Sequence, residues 1–181
     1  ISPDVDNRRA NIIIDGENIK SIIEKDVNPE NFDEIIDGEG LMAMPGFIDV
    51  HAHGAVSYDT CDGTGEAIDK IAEARLKEGV TMWLPTTLTV PYTEIEKAAH
   101  AVAEYLKNPR WAEIPGMHIE GPFINVAMKG AQNPKFIKVP SADFIKQVND
   151  IAPVKIVTMA PEVDGALDFI REMKKMGIVT S

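Results

Sequence analysis

Two histidines one residue apart, His51 and His53, close the apolar run Phe47-Ile48-Asp49-Val50-His51-Ala52-His53, and Gly54 follows at once. Side chains alternate along a strand. This spacing therefore puts both imidazoles on one face with Phe47 and Asp49, and Ile48, Val50 and Ala52 on the other. Imidazoles at i and i+2 on a strand end converge on one point, where a single divalent cation can take both. A second stretch, Gly116-Met117-His118-Ile119-Glu120-Gly121-Pro122-Phe123, is again a short apolar strand with a charged group at its carboxyl end. Glu120 shares a face with His118, and Met117 and Ile119 point the other way. In a partly dry site such a carboxylate must be paired or hold a cation; on its own it also reads as a surface glutamate before a turn. Two histidines and a carboxylate suit zinc, iron, manganese or cobalt. His118 either holds Glu120 or a water in place or is satisfied inside the fold.

The loop at residues 125–134, Asn-Val-Ala-Met-Lys-Gly-Ala-Gln-Asn-Pro, directly follows the Glu120 turn and should overhang the strand ends. Gly130 and Ala131 leave room for a ligand to approach the backbone. Gln132 and Asn133 offer amide donors and acceptors that suit a polyhydroxylated ligand. Lys129 can attract an anion. Pro85-Thr86-Thr87 can bring hydroxyls to the mouth of the same site. His100 reads as helix surface or packing, and Trp83 and Trp111 as packing residues. The sequence shows no phosphate-binding glycine-rich loop, nucleophile elbow or paired-cysteine zinc motif.

Those residues need elements to carry them. From Pro45 onward strands and helices alternate. Strands are expected at 47–53, at 80–84 with Pro85 ending it, at 117–119 and at 153–159, and a fifth starts at 178–180. Helical spacing appears at 65–78, where Ile68, Ile71, Ala72 and Leu76 share a face, and again at 93–106, 141–149 and 163–176. Gly79 and Gly177 read as helix stops. Such alternation implies a parallel α/β sheet, and both an open doubly wound sheet and a closed barrel fit it. A barrel needs eight units, so four units and the start of a fifth strand make about half of one. Residues 1–44 read differently, as short strands: Asn11-Ile12-Ile13-Ile14 before an Asp15-Gly16 turn, a return over 20–24, and a further pair at 32–37 and 41–44 around Gly38 and Gly40. Such strands need a second sheet to bury their apolar face.

Composition narrows the partners. The chain carries 29 acidic against 18 basic residues, a net charge of −11. That argues against a nucleic-acid or anionic-membrane partner, while a small anionic substrate can still find a local basic pocket. No apolar run reaches the ~18–20 residues of a membrane span. A lone cysteine, Cys61, rules out a disulfide within the chain and fits a reducing cytoplasm. The opening Ile1-Ser2-Pro3-Asp4 is no signal peptide, and without an initiator methionine a trimmed start is expected.

The strand Pro45-Gly46-Phe47-Ile48-Asp49-Val50-His51-Ala52-His53-Gly54 resembles the first barrel strand of the amidohydrolase superfamily. The stretch 116–125 with Lys129-Gly130-Ala131-Gln132-Asn133-Pro134 is similar to the signature of its N-acetylglucosamine-6-phosphate deacetylase family, and Thr158-Met159-Ala160-Pro161-Glu162 to that family's fourth strand end. The resemblance covers essentially the whole chain. It implies a partial (β/α)8 TIM-type barrel over 45–181, preceded at 1–44 by strands of a small β-sandwich domain. It implies one or two divalent ions held by His51, His53 and Glu120, with a sugar contact at the Ala131 backbone, beside which the amides of Gln132 and Asn133 are expected to bind the same ligand. The substrate would be a phosphorylated amino sugar, and the complete protein a cytoplasmic homodimer. Two more metal histidines, the phosphate-binding residues and a general-base aspartate are expected beyond Ser181, so the chain alone should be incomplete and inactive. Two alternatives stay open: an amidohydrolase acting on a cyclic amide or N-acyl amino acid, and a non-catalytic fragment.

Overall fold

The structure, a computed structural model, describes residues 9–181. The reading of Ile1 to Asp4 as no signal peptide lies outside the described residues. The chain divides into two compact units, with the boundary after Pro45.

In the first unit, β1 (Asn11–Asp15) and β2 (Asn18–Ile23) form an antiparallel hairpin. Gly16 takes φ +60° in its turn, where a side chain would be strained. The strand pair expected at 32–37 and 41–44 is not formed; a 3-10 turn at Pro29–Asn31 leads into chain without strand. Ile35, Ile36, Leu41 and Met42 are all exposed. Strands need a partner for the backbone and cover for the apolar face, and among the described residues no strand pairs with this stretch.

The second unit opens with β3 (Phe47–Ala52) and a tight hairpin of β4 (Gly54–Ala55) and β5 (Tyr58–Asp59). Alternation follows: α1 (Gly65–Lys77), β6 (Val80–Thr87), α2 (Tyr92–Leu106), β7 (Met117–Glu120), α3 (Ala142–Ile151), β8 (Val154–Thr158), α4 (Ala166–Lys175) and β9 (Val179–Thr180). The Thr64 hydroxyl caps α1 by accepting from Ala67 N–H, and the Ser141 hydroxyl caps α3 by accepting from Phe144 N–H. Gly79 at φ +82° and Gly177 at φ +73° follow the ends of α1 and α4. The parallel sheet runs β3-β6-β7-β8-β9. Every strand lies beside its successor in the alternation, and no switch point reverses the order. That excludes the doubly wound sheet and leaves the partial (β/α) barrel. Trp83, Ile119 and Val157 from the strands pack with Ile68, Ile71, Ile95 and Val102 from the helices, all fully buried. Among the described residues no helix is long and apolar enough to cross a membrane.

Two features of the strands depart from the sequence reading. Pro85 does not end β6, which runs on through Thr87 and pairs with β7 at Thr86↔His118 and Thr87↔Ile119. Proline removes one donor but does not forbid extended backbone, and just beyond it the Thr86 hydroxyl ties β6 to β3 by accepting from Ala52 N–H at 3.0 Å. The faces of β3 also differ from simple alternation, because its register against β6 slips between Asp49 and Ala52. Before the slip, Phe47 lies beside Gly79 and Asp49 beside Arg75 of α1, on the helix side. Ile48 and Val50 line a cleft with Met82, Leu84 and Ile156. After the slip Ala52 is the one buried in the core, and His51 and His53 join the cleft side. An extra residue shifts the period-two phase, yet i and i+2 beyond it remain in phase.

Cys61 sits in the 3-10 turn Thr60–Asp62 after the hairpin and accepts from Leu88 N–H at 3.3 Å. Burial pushes its thiol up to about 12, which leaves only about one part in 10⁴ as thiolate at pH 8. Iodoacetamide at that pH should label the folded chain far more slowly than the chain in 8 M urea. Equal rates would show that the thiol is not held as described.

Candidate metal centre

The slipped register of β3 and the carboxyl end of β7 bring three lone-pair donors together. Glu120 Oε2 lies 2.9 Å from His53 Nε2 and 3.3 Å from His51 Nε2. The two imidazole Nε2 atoms are 3.2 Å apart. Although Oε2 is this close to both rings, neither contact has hydrogen-bond direction, and the atom is buried without a hydrogen-bond partner. An orphaned buried carboxylate oxygen is costly. Separations of about 2.9–3.4 Å are those between neighbouring ligands of a cation bound at about 2.0–2.2 Å. The residues therefore fit a divalent metal ion, and among the described residues they are the one His, Cys, Asp or Glu cluster that does. His51, His53 and Glu120 side chains are 47%, 31% and 23% exposed, so the cluster opens to solvent on one side. An open position is what a reactant needs.

Backbone geometry fixes the proton on one ring. His53 Nδ1 is 3.1 Å from the Thr86 carbonyl. A carbonyl only accepts, so Nδ1 carries the hydrogen and a neutral His53 must present a bare Nε2 to the cluster. A partner of this kind on the far nitrogen is the usual way a metal-ligating histidine is oriented. Thr86 reaches this position only because β6 continues past Pro85.

His118 does not hold Glu120. Its ring is buried, with Nδ1 2.8 Å from the Val50 carbonyl and Nε2 2.7 Å from the Thr158 hydroxyl. Nδ1 donates, so Nε2 accepts from Thr158. Burial lowers its pKa, and the hydrogen bond to Val50 opposes that. Its ring meets His51 edge to face, with centroids 4.9 Å apart.

The loop after β7 is placed by its own amides. Gln132 Oε1 accepts from Thr89 N–H at 2.9 Å, which ties the loop to the segment following β6. Asn133 Oδ1 accepts from Lys135 N–H, and Asn125 Nδ2 donates to Glu162 Oε1. That pairing and Glu162's own backbone amide lower the Glu162 pKa. Ala131 is exposed between these anchors. The structure thus gathers His51, His53 and Glu120 and commits one oxygen each of Gln132 and Asn133 to holding the loop. His100 is on the exposed side of α2 and Trp83 is in the core, whereas Trp111, expected to pack, is exposed.

The sequence model of the amidohydrolase family matches residues 42–178. The chain belongs to the amidohydrolase family. Among curated amidohydrolase relatives, it is 30% identical over 162 residues to the N-acetylglucosamine-6-phosphate deacetylase of Lysinibacillus sphaericus, covering 88% of this chain and 42% of that protein. It is 30% identical over 147 residues to the N-acetylgalactosamine-6-phosphate deacetylase of Escherichia coli O157:H7, covering 80% of this chain and 39% of that one. The crystal structure of N-acetylglucosamine-6-phosphate deacetylase from Pasteurella multocida superposes with a TM-score of 0.84 at 28% identity, over 94% of this chain and 45% of that one. The chain thus spans less than half the length of these relatives.

The Thr86 and Thr87 hydroxyls expected at the mouth of the site are buried instead, with Thr86 Oγ1 accepting from Ala52 N–H and donating to the Leu84 carbonyl, and what sequence reasoning missed is the supporting role of Thr86 and Thr158. Thr86 acts on His53 through a backbone carbonyl, which every residue has, and Thr158 sits opposite Glu120 only once β7 and β8 are in register. Glu120→Gln should weaken Zn²⁺ binding by at least the ~10–100-fold typical of losing even an outer partner, measured by competition with a chromogenic chelator; unchanged affinity would disprove the cluster as the site. Gly121 has φ +73°, and a Cβ there would lie 2.2 Å from Thr89 Oγ1. Gly121→Ala should therefore lower the urea midpoint, by an amount equivalent to at least ~1 kcal/mol.

Proposed function

We propose that the protein to which these 181 residues belong hydrolyses the acetamide of N-acetylglucosamine 6-phosphate, releasing acetate and glucosamine 6-phosphate. The observation that carries this reading is the convergence of His51 Nε2, His53 Nε2 and Glu120 Oε2 at the carboxyl ends of two barrel strands, β3 and β7, that flank β6, where barrels place their chemistry. The names of the similar proteins supply the substrate class.

His51, His53 and Glu120 would hold a divalent ion, with zinc, iron, manganese and cobalt all compatible with the donor set. Bound there, such an ion acidifies water and polarises an amide carbonyl. Glu120 contributes the one negative charge of the cluster, and Thr86 keeps the His53 lone pair turned inward. Ala131, Gln132 and Asn133 would meet the sugar: Ala131 through its backbone, and the two amides through their NH2 donors, their oxygens being occupied by Thr89 N–H and Lys135 N–H. Asp49 cannot act as general base here, since its carboxylate is turned to Arg75 and to His51 N–H. No other carboxylate joins Glu120 in the cluster among the described residues. The base is therefore assigned to none of them, and the 181 residues by themselves should bind metal without turnover.

A second reading concerns the sugar. The relative named for N-acetylgalactosamine 6-phosphate matches at the same 30% identity as the first relative, so the C4 epimer belongs in the test. Acetate release by the complete metal-loaded protein should be at least ~10-fold faster, as kcat/KM, on N-acetylglucosamine 6-phosphate than on the galacto epimer, and undetectable on N-acetyl amino acids. Preference for the epimer would move the assignment to that sugar. Turnover of N-acetyl amino acids alone would overturn it.

A further inference from the structure

We propose that Asp49 and His118 together form a clamp on the Val50–His51 peptide, and that this clamp aims the His51 imidazole at the metal. The proposal rests on the metal reading above and adds two positioning residues to it.

The peptide in question lies outside the strand ladder. In β3 the partners of Phe47, Ile48, Asp49 and Ala52 on β6 are Val80, Met82, Trp83 and Pro85, whereas Val50 and His51 have none. Backbone groups without a ladder need other partners. Both groups of this one peptide have them. Its N–H, on His51, donates to Asp49 Oδ1 at 3.0 Å. Its C=O, on Val50, accepts from His118 Nδ1 at 2.8 Å. The two bonds come from different places. Asp49 is local and is itself approached by Arg75 Nη1 at 3.7 Å from α1. His118 stands on β7, which is separated from β3 by β6, so its bond reaches across the face of the intervening strand.

Fixing both ends of a peptide fixes its plane, and the plane sets the Cα–Cβ direction of His51. His51 depends on this more than His53 does. His53 has its own anchor in the Thr86 carbonyl, whereas among the described residues the His51 ring meets His53, Glu120 and the edge of His118, all of them at the cluster itself. Thr158 completes the clamp by donating to His118 Nε2, which obliges Nδ1 to be the donor to Val50.

Side-chain replacements separate clamping from bulk packing. In His118→Asn the new amide can place a donor where Nδ1 stands, whereas in His118→Gln it extends past that point. Asp49→Asn keeps an acceptor for His51 N–H, whereas Asp49→Ala removes it. The test is Co²⁺ titration of the complete protein that carries this chain, followed by visible absorption, with the melting temperature of each variant alongside. His118→Gln and Asp49→Ala should weaken Co²⁺ binding ~10-fold or more and alter the absorption spectrum, while His118→Asn and Asp49→Asn should stay within ~3-fold of the parent. If all four variants bind as the parent does, or if each conservative variant weakens as much as its partner, the clamp is wrong although the metal site stands. If the parent itself binds no Co²⁺, the metal reading fails and the clamp with it. Should the His118 variants not fold, the Asp49 pair decides alone.

Discussion

Lone pairs on three atoms held about 3 Å apart repel one another unless something positive lies between them. With Nδ1 donating to the Thr86 carbonyl, a neutral His53 has no hydrogen left to turn toward the cluster. Glu120 Oε2 is buried and lacks a directed partner. A proton on His51 Nε2 would relieve one contact at a time, and a divalent cation relieves all three at once. The rest of the site depends on this electrostatic demand, and most of its supporting contacts serve to keep the three atoms close.

The supports come from the fold's ordinary construction. Parallel strands in sequential order bring their carboxyl ends to one rim, so a histidine pair on β3 and a glutamate on β7 are neighbours although they are far apart in sequence. Helices α1 and α2 bury the opposite face of the sheet around Trp83, Ile68 and Ile95. A well-packed layer resists small displacements, which is what ligand atoms need if their spacing is to hold. The polar threonines at the rim, Thr86 and Thr158, then set which nitrogen of His53 and of His118 carries a hydrogen.

Much of this was legible in the sequence for a physical reason. Helical periodicity in Ile68, Ile71 and Ala72 marks a buried stripe whatever the sheet does, and the observed α1 ends one residue before the expected limit. The clustering of His51, His53 and Glu120 was legible because each stands at the carboxyl end of a short apolar strand, and only the three together, not Glu120 alone, point to a shared cation. Three things were not. The register slip in β3 inserts no special residue, so alternation put Asp49 with the histidines when it faces Arg75. Pro85 looked like a stop, and only the pairing with β7 shows that β6 continues. Gln132 was read as a free amide for a ligand, and its oxygen instead holds Thr89 N–H, a contact 43 residues away that no local pattern announces. The apolar residues at 32–44 invited strands, but no strand among the described residues pairs with them.

The central claim is spatial, so a spatial measurement tests it best. Crystals of the protein soaked in Zn²⁺ and measured on both sides of the zinc absorption edge should give an anomalous peak within about 2.0–2.3 Å of His51 Nε2, His53 Nε2 and a Glu120 carboxylate oxygen. A peak elsewhere, or none between those three residues at saturating zinc, would contradict the account.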